Sequence, residues 1–172
     1  MIRLPTMEDL PGLLRRVQGG AVCSERVTVK AVIWQGGQLG LLHSPRWGCY
    51  KFPGGVEPGE DHAAALTREL REETGAELLE LGPCLLTVTE LAPAQEPEAE
   101  VFQMGSFCYA CQVTEAQHSP ALETYEAELG LEPCWVAPQV AAQANAAALR
   151  QPGSPRWIPR EIAVLRALAG QA

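Results

Sequence analysis

The sequence lacks an apolar run long enough to span a membrane, which takes about twenty residues, and it lacks a basic N-terminal segment followed by an apolar one. The second pattern would mark a secretory signal. We therefore expect a cytoplasmic protein that has no membrane partner.

Positive charge is scarce. The chain has 13 lysines and arginines against 21 aspartates and glutamates, which gives a formal net charge of -8 and a pI near 4.9. An acidic surface repels nucleic-acid phosphates and anionic lipids, so the composition argues against nucleic-acid binding. An enzyme with such a surface that acts on phosphorylated substrates must recruit metal ions locally.

Cysteine and histidine do not form a metal-binding pattern. Among six scattered cysteines, Cys108 and Cys111 make the single C-x-x-C pair. In a strand, side chains three residues apart point to opposite faces, so we expect reduced, buried cysteines and no zinc or redox site. His43, His62 and His118 share no spacing that would indicate a common ligand.

The chain has 172 residues, of which 47% are hydrophobic, enough for one domain with a substantial core. We interpret residues 1–20 as an N-terminal helical extension, with a helix over residues 7–17 capped by Thr6, and residues 21–172 as the main domain. Strands are predicted over 27–34, 39–43, 78–89, 100–113 and 131–137, a proline-rich loop over 92–98, and helices over 138–149 and 160–169. This mixture predicts an α/β fold, an α/β/α sandwich around a mixed sheet.

An acidic segment lies near the middle of the chain, where residues 54–76 are GGVEPGEDHAAALTRELREETGA. On a helix Glu69, Glu72 and Glu73 lie within about 100° of one another, so three carboxylates share one face. Like charges at these spacings oppose each other by roughly 0.2–0.5 kcal/mol per pair, and a cation between them explains the cluster. Oxygen ligands without a nearby His or Cys suit Mg²⁺ or Mn²⁺.

The same segment specifies the ends and the buried face of its helix. Asp61 is the predicted N-cap and Gly75 the C-terminal stop. A stripe of Ala63, Leu66 and Leu70 is expected to seat the helix on a sheet and to leave the acidic face over a cleft.

Arg68 stands four residues before Glu72 on the predicted helix. A bidentate contact between the two would hold the carboxylate in one rotamer, so Arg68 is a candidate orienting residue of the catalytic site. Residues 52–55, Phe-Pro-Gly-Gly, predict a tight turn in which the backbone approaches a metal or phosphate closely.

The fixed positions of the acidic segment are Gly54, Glu60, Arg68, Glu69, Glu72, Glu73 and Gly75. Their spacing resembles the signature of the Nudix hydrolases, which cut diphosphate linkages in nucleotide derivatives. The sequence departs from that signature in Ala76, where a larger aliphatic residue is usual, and in Tyr50, where Trp often precedes the turn.

The resemblance implies a Nudix fold over the main domain and a role for each matching residue. Glu69 and Glu73 would be the firmest metal ligands, with Glu72 as a ligand or a base. The carbonyl of Gly54 or its neighbour would add a ligand. Glu60 would brace the loop or the nearby arginine.

Several Nudix subfamilies take their general base from a later glutamate on a mobile loop. Glu123, Glu126 and Glu128 precede the strand where such a loop would lie, and Glu126 is the candidate base, although its segment also fits an ordinary solvent-facing loop. The candidate substrate-binding residues are Trp47, Tyr50 and Lys51, and Phe102 and Tyr125 are further aromatic residues that could stack on a base.

The sequence therefore predicts a Mg²⁺-dependent hydrolase of a nucleoside diphosphate linked to a second group, such as a nucleotide sugar or an ADP-ribose-like compound. Pro93 lies close to where some relatives that act on ADP-ribose have a proline. The alternatives are a nucleoside triphosphate pyrophosphatase and a non-catalytic nucleotide sensor. The opening residues also resemble the first helix of GNAT acetyltransferases, but no acetyl-coenzyme A pyrophosphate loop follows. The expected partner is a small nucleotide. The sequence is compatible with a homodimer but does not determine the oligomeric state.

Overall fold

The computed structural model describes residues 1–170. The strands in this range are β1 (Ile2–Arg3), β2 (Met7–Glu8), β3 (Cys23–Val32), β4 (Trp34–Gln35), β5 (Gln38–Ser44), β6 (Cys49–Lys51), β7 (Leu78–Pro93), β8 (Val101–Val113) and β9 (Glu132–Val136). The helices are α1 (Leu13–Gln18), α2 (His62–Thr74), α3 (Thr124–Leu129), α4 (Pro138–Ala148) and α5 (Ile158–Ala169).

Two sheets share the core. The larger sheet has the order β1-β7-β8-β3, with β2 also paired to β7. In it β7 and β8 are antiparallel, whereas β3 runs parallel to β8. The smaller, antiparallel sheet has β5 between β6 and β9, with β4 closing a hairpin onto β5.

Helices cover both faces of this assembly. Helix α2 packs on one face of β3 through Leu66 and Leu70, against Val29 and Ala31. Helices α4 and α5 cover the opposite face, where Leu165 joins a core cluster that spans both sheets. The arrangement is the predicted α/β/α sandwich around a mixed sheet.

The predicted caps of α2 are confirmed. The Asp61 carboxylate accepts hydrogen bonds from the N–H groups of Ala63 at 2.9 Å and Ala64 at 3.0 Å, and Gly75 ends the helix with a φ of 72°. The apolar stripe is partly wrong, because Ala63 is exposed and Ala65 is buried in its place.

The helix predicted over residues 7–17 is wrong in its first half. Met7–Glu8 pair in parallel with Glu90 and Leu91 of β7, and the helix is confined to Leu13–Gln18. The edge of β7 offers hydrogen-bond partners to the backbone of the first residues, so tertiary pairing overrides the local capping signal. Thr6 accordingly caps no helix.

The predicted hairpin of residues 27–34 and 39–43 is only partly present. Trp34 and Gln35 pair with β5 across a glycine turn, but β3 ends at Val32 and belongs to the larger sheet. A short run of apolar residues indicates burial on both faces but not the partner strand. Strand β7 also continues to Pro93, which shortens the loop predicted over 92–98.

All six cysteines are free over residues 1–170, but the predicted burial holds only for Cys49, Cys108 and Cys111, because the other three are partly exposed. Cys108 lies in the core on the side of α4 and α5, and Cys111 in the core on the side of α2, which are opposite faces of β8. Burial raises the pKa of the Cys108 thiol to about 12. No helix in the described range has the length and apolarity to cross a bilayer.

Candidate active site

Three glutamates, two from α2 and one from α3, converge in the structure. Glu69, Glu73 and Glu126 each offer a carboxylate oxygen, and these atoms lie within 4.8 Å of one another. Glu69 and Glu73 are one turn apart on α2, while Glu126 comes from α3. Carboxylates this close repel one another unless a cation lies between them, and an all-oxygen set fits Mg²⁺ or Mn²⁺. The residues present therefore suit the divalent metal that the sequence predicted.

Glu73 is the most buried member of this cluster, with 0% exposure. Its Oε2 accepts a hydrogen bond from Gly54 N at 2.6 Å. Burial raises the pKa of the Glu73 carboxyl, and the nearby Lys51 ammonium opposes that rise. For Glu126, burial is outweighed by the hydrogen bond with Glu73 and by the charge of Lys51, so its pKa is lowered.

Lys51 lies beneath the cluster. Its Nζ is 2.9 Å from Glu73 Oε1 and 2.9 Å from Glu126 Oε1, and its side chain is buried. Burial lowers the pKa of Lys51, but the two carboxylates outweigh burial and raise it. The structure thus places this predicted substrate-binding residue in a link between α2 and α3.

The turn after β6 requires glycine at position 54, and Gly55 leaves room for the Glu69 side chain. Gly54 has a φ of 129°, and a β-carbon there would collide with the carbonyl oxygen of Val29. A β-carbon on Gly55 would collide with the Glu69 carboxylate. The carbonyl oxygen of Gly54, a predicted metal ligand, accepts a hydrogen bond from Lys30 Nζ. The backbone of this turn therefore lies directly against the carboxylate cluster.

Arg68 holds the outer side of the cluster. Its bidentate partner is Glu60, with Nε to Oε1 at 3.0 Å and Nη2 to Oε2 at 2.8 Å. Nη1 contacts Glu69 Oε1 at 2.9 Å and Glu72 Oε2 at 3.1 Å. The bidentate contact predicted with Glu72 is therefore wrong, because the fork geometry is used by Glu60. The bracing of Arg68 by Glu60 is observed.

Glu72 differs from the other two signature glutamates of α2. Its side chain is 39% exposed, and within residues 1–170 the group of converging carboxylates consists of Glu69, Glu73 and Glu126. Glu72 thus shares a broad helical face with Glu69 and Glu73, but its carboxylate lies outside the cluster.

Helix α3 was missed by the sequence analysis. Its N-cap Glu123 and Glu126 form a capping box, and Gly130 ends it with a φ of 63°. Leu122 and Leu129 pack against one core cluster, so Glu126 lies on the buried side, four residues after the first and three before the second. This spacing and the capping box were the available sequence signals. Of Glu123, Glu126 and Glu128, Glu126 alone is buried.

The candidate stacking residues occupy different environments. Trp47 packs against buried residues of the core near α5. Tyr50 packs against the main core, with its ring 4.8 Å from that of His43. Tyr125 Oη accepts a hydrogen bond from Trp157 Nε1 at 2.9 Å.

A cavity of about 440 Å³ lies between the larger sheet and the start of α5. Its lining includes Pro93, Phe102, Trp157 and Arg160. Thr28 of β3 also lines it, two residues from the lysine that contacts Gly54. Alternate residues of a strand share a face, so Thr28 and this lysine lie on the same side of β3. Arg160 connects the cavity to the turn through Glu161. Within residues 1–170, no carboxylate of the cluster is among the lining residues of this cavity.

Comparison with known proteins identifies the family. A model of the NUDIX domain matches residues 24–159, and the chain therefore belongs to the Nudix family. A Nudix hydrolase structure from Nitrosomonas europaea is 26% identical with a TM-score of 0.50, over 80% of this chain and 88% of that one. A MutT structure, described for Aliivibrio salmonicida and Vibrio cholerae, is 18% identical to this chain with a TM-score of 0.53. The match covers 87% of this chain and 100% of that one. Comparison with curated proteins gave no match.

The predicted family and fold are thus confirmed, and the chain is a Nudix hydrolase that acts on phosphoanhydride bonds. The resemblance of the N-terminus to the first helix of an acetyltransferase is not supported by the structure. Residues 1–8 contribute two strands to the larger sheet instead of a helix.

Proposed function

We propose that the enzyme hydrolyses the diphosphate linkage of a nucleoside diphosphate joined to a second group, such as a sugar, with Mg²⁺ or Mn²⁺ as cofactor. The observation that carries the proposal is a cavity that Arg160 lines and that Arg160 and Glu161 connect to the turn bearing Gly54. Its volume of about 440 Å³ lies in the range typical of sites for small organic ligands. Phe102 and Trp157 offer aromatic surface for a base, and Pro93 lies at its edge.

Glu69 and Glu73 would hold the metal, with the Gly54 carbonyl as a further oxygen ligand. The bound metal supplies positive charge that stabilises the diphosphate oxygens and the leaving group. Arg68 keeps Glu69 in place from the outer side through the contact at 2.9 Å. The chain thus provides an acidic site and a more apolar cavity, which Arg160 and Glu161 of α5 connect.

Glu126 would act as the general base. A glutamate carboxylate is ionised at neutral pH and can accept a proton. Burial raises the pKa of Glu126, but the hydrogen bond with Glu73 and the charge of Lys51 outweigh burial and hold it below its ordinary value. In the proposed reaction one Glu126 oxygen takes a proton from the attacking water as the water oxygen bonds to one phosphorus. The bond between that phosphorus and the bridging oxygen breaks, and the bridging oxygen leaves with the second phosphate as an anion. Lys51, 2.9 Å from Glu126 Oε1, keeps that carboxylate directed at the cluster.

Product analysis tests the proposal. The purified enzyme would be incubated with Mg²⁺ and a panel of nucleotide sugars, ADP-ribose and nucleoside triphosphates, and the products separated. A nucleoside monophosphate together with a phosphorylated second group is the expected result. A monophosphate together with pyrophosphate, obtained only from triphosphates, would contradict it in favour of the nucleoside triphosphate pyrophosphatase.

A further inference from the structure

A buried ionic network outside the carboxylate cluster reaches the turn that carries Gly54. Glu161, in the first turn of α5, is 1% exposed, and its Oε2 accepts a hydrogen bond from Phe52 N at 2.9 Å. Its Oε1 accepts from Arg160 Nε at 3.0 Å and Nη2 at 2.9 Å. Arg160 Nη1 donates to Glu90 Oε2 at 2.9 Å. Each carboxylate of this network thus has the partners that a buried charge requires.

Three different elements fix the polar backbone atoms of the turn. Phe52 N is held by Glu161 of α5, Pro53 O accepts from β3 at 2.9 Å, and Gly54 N is held by Glu73 of α2. Since proline has no N–H, Phe52 N is the last backbone donor before Gly54. The side of the turn that faces α5 is therefore tied down through Glu161.

The same network forms part of the cavity wall. Arg160 and Glu90 line the cavity, whereas Glu161 lies behind them against the turn. A ligand in the cavity contacts one end of the network, and the other end holds the backbone next to the metal-binding carboxylates. Arg160 and Glu161 on α5 thus connect the cavity with the turn that carries Gly54.

We propose that Glu161 is a positioning residue for the hydrolytic reaction. By holding Phe52 N it fixes the position of Gly54, and through the Gly54 N–H it fixes Glu73. The inference rests on the proposed metal site and is independent of which nucleotide is the substrate. Glu161 itself touches neither substrate nor metal.

Two double variants isolate the contact with Phe52. Both replace Arg160 by Met, so that neither carries a buried unpaired guanidinium. R160M/E161Q keeps a side-chain oxygen that accepts from Phe52 N, whereas R160M/E161L has a side chain without an acceptor. The pair therefore differs in one hydrogen bond to the turn. Mn²⁺ affinity would be measured by electron paramagnetic resonance without nucleotide, and kcat and KM separately on the substrate found by product analysis.

The leucine variant should bind Mn²⁺ about 10- to 100-fold more weakly than the glutamine variant, the range for loss of a group that orients a metal ligand. Its kcat should fall with the affinity. Its KM should match that of the glutamine variant, because both lack Arg160. Equal Mn²⁺ affinity and equal kcat in the two variants would overturn the proposal. If the leucine variant does not fold, Glu161→Asp replaces it, since the charge is kept but the reach is shortened. Parental Mn²⁺ affinity in that variant also overturns the proposal.

Asn145 offers a matched control. From α4 its side chain holds the backbone of Tyr50, with Tyr50 N to Oδ1 at 2.7 Å and Nδ2 to Tyr50 O at 2.9 Å. Asn145→Ala removes a helix-to-β6 contact two residues before Phe52, so it should lower Tm and leave Mn²⁺ affinity unchanged. An equal loss of Mn²⁺ affinity there would assign the effect to β6 in general and reject the special role of Glu161. Inactivity on all nucleotides would contradict the proposed function, whereas the Mn²⁺ comparison alone still decides the role of Glu161.

Discussion

Two cations flank the carboxylate cluster, and their surroundings differ. Arg68 lies on the outer side, 23% exposed, with partners one, four and eight residues away in sequence. Lys51 lies on the inner side, 11% exposed, with partners 22 and 75 residues away. The outer group is local and partly hydrated, whereas the inner group joins three separate elements in the interior.

This difference decides what each cation contributes. A partly exposed ion pair is screened by water and adds little to stability, so Arg68 acts mainly by orienting carboxylates. A buried pair costs desolvation, and its loss leaves an uncompensated charge. Lys51 should therefore matter for both stability and metal binding. Lys30 and Lys51 are the two lysines of the chain, and both contact groups at this site.

The largest expected effect follows from Glu73→Gln, a change at the centre of the inner group. The substitution keeps the shape of the side chain but removes a metal-binding charge, which costs several kcal/mol of transition-state stabilisation, or a fall in kcat of at least about 100-fold. Activity at saturating Mg²⁺ would be compared with Glu77→Gln, a change at a surface pair beyond α2. Near-parental turnover of the Glu73 variant would refute its assigned role.

Glu126→Gln should lower kcat by about 10²- to 10⁴-fold, the usual contribution of a general base. If Glu126 acts as the base alone, Mn²⁺ affinity and KM stay close to parental, and a parallel fall in Mn²⁺ affinity instead indicates a metal ligand. Glu72→Gln is the comparison, since Glu72 lies outside the cluster. Unchanged turnover in the Glu126 variant, with a large loss in the Glu72 variant, would move the base to α2.

Lys51→Met should reduce the free energy of unfolding by about 3–5 kcal/mol, because it leaves Glu73 and Glu126 buried without their shared cation. A divalent metal supplies positive charge at the same carboxylates, so Mg²⁺ should raise the Tm of this variant more than that of the parent. Thermal unfolding with and without Mg²⁺ measures both effects. Arg71→Met, at an exposed position of α2, is the control. A Mg²⁺ shift equal to the parental one would contradict the role of Lys51.

The contrast between the local contacts of Arg68 and the long-range contacts of Lys51 also explains which parts of the site could be predicted from the sequence. Asp61, Gly75 and the signature glutamates are local features of one helix, and their spacing predicted α2 correctly. The link from Lys51 to Glu126 depends on how distant elements pack, which no periodicity contains. The sequence named both residues but gave Lys51 a different role. Helical spacing specifies a face and not the depth at which a side chain is buried, so it did not predict that Glu72 is more exposed than Glu69 and Glu73.

The smallest expected effect is that of Arg68→Ala on the outer group. It removes the bidentate contact with Glu60 and the support of Glu69, so kcat should fall about tenfold, the lower end for a group that orients a metal ligand. Because Arg68 is partly hydrated, Tm should change much less than in the Lys51 variant. Arg68→Lys should not restore the activity, since an ammonium cannot reproduce the fork that binds Glu60. Steady-state kinetics and Mg²⁺ titration of both variants measure these effects. Unaltered turnover together with unaltered Mg²⁺ affinity would remove the orienting role and leave the inner group to position the cluster.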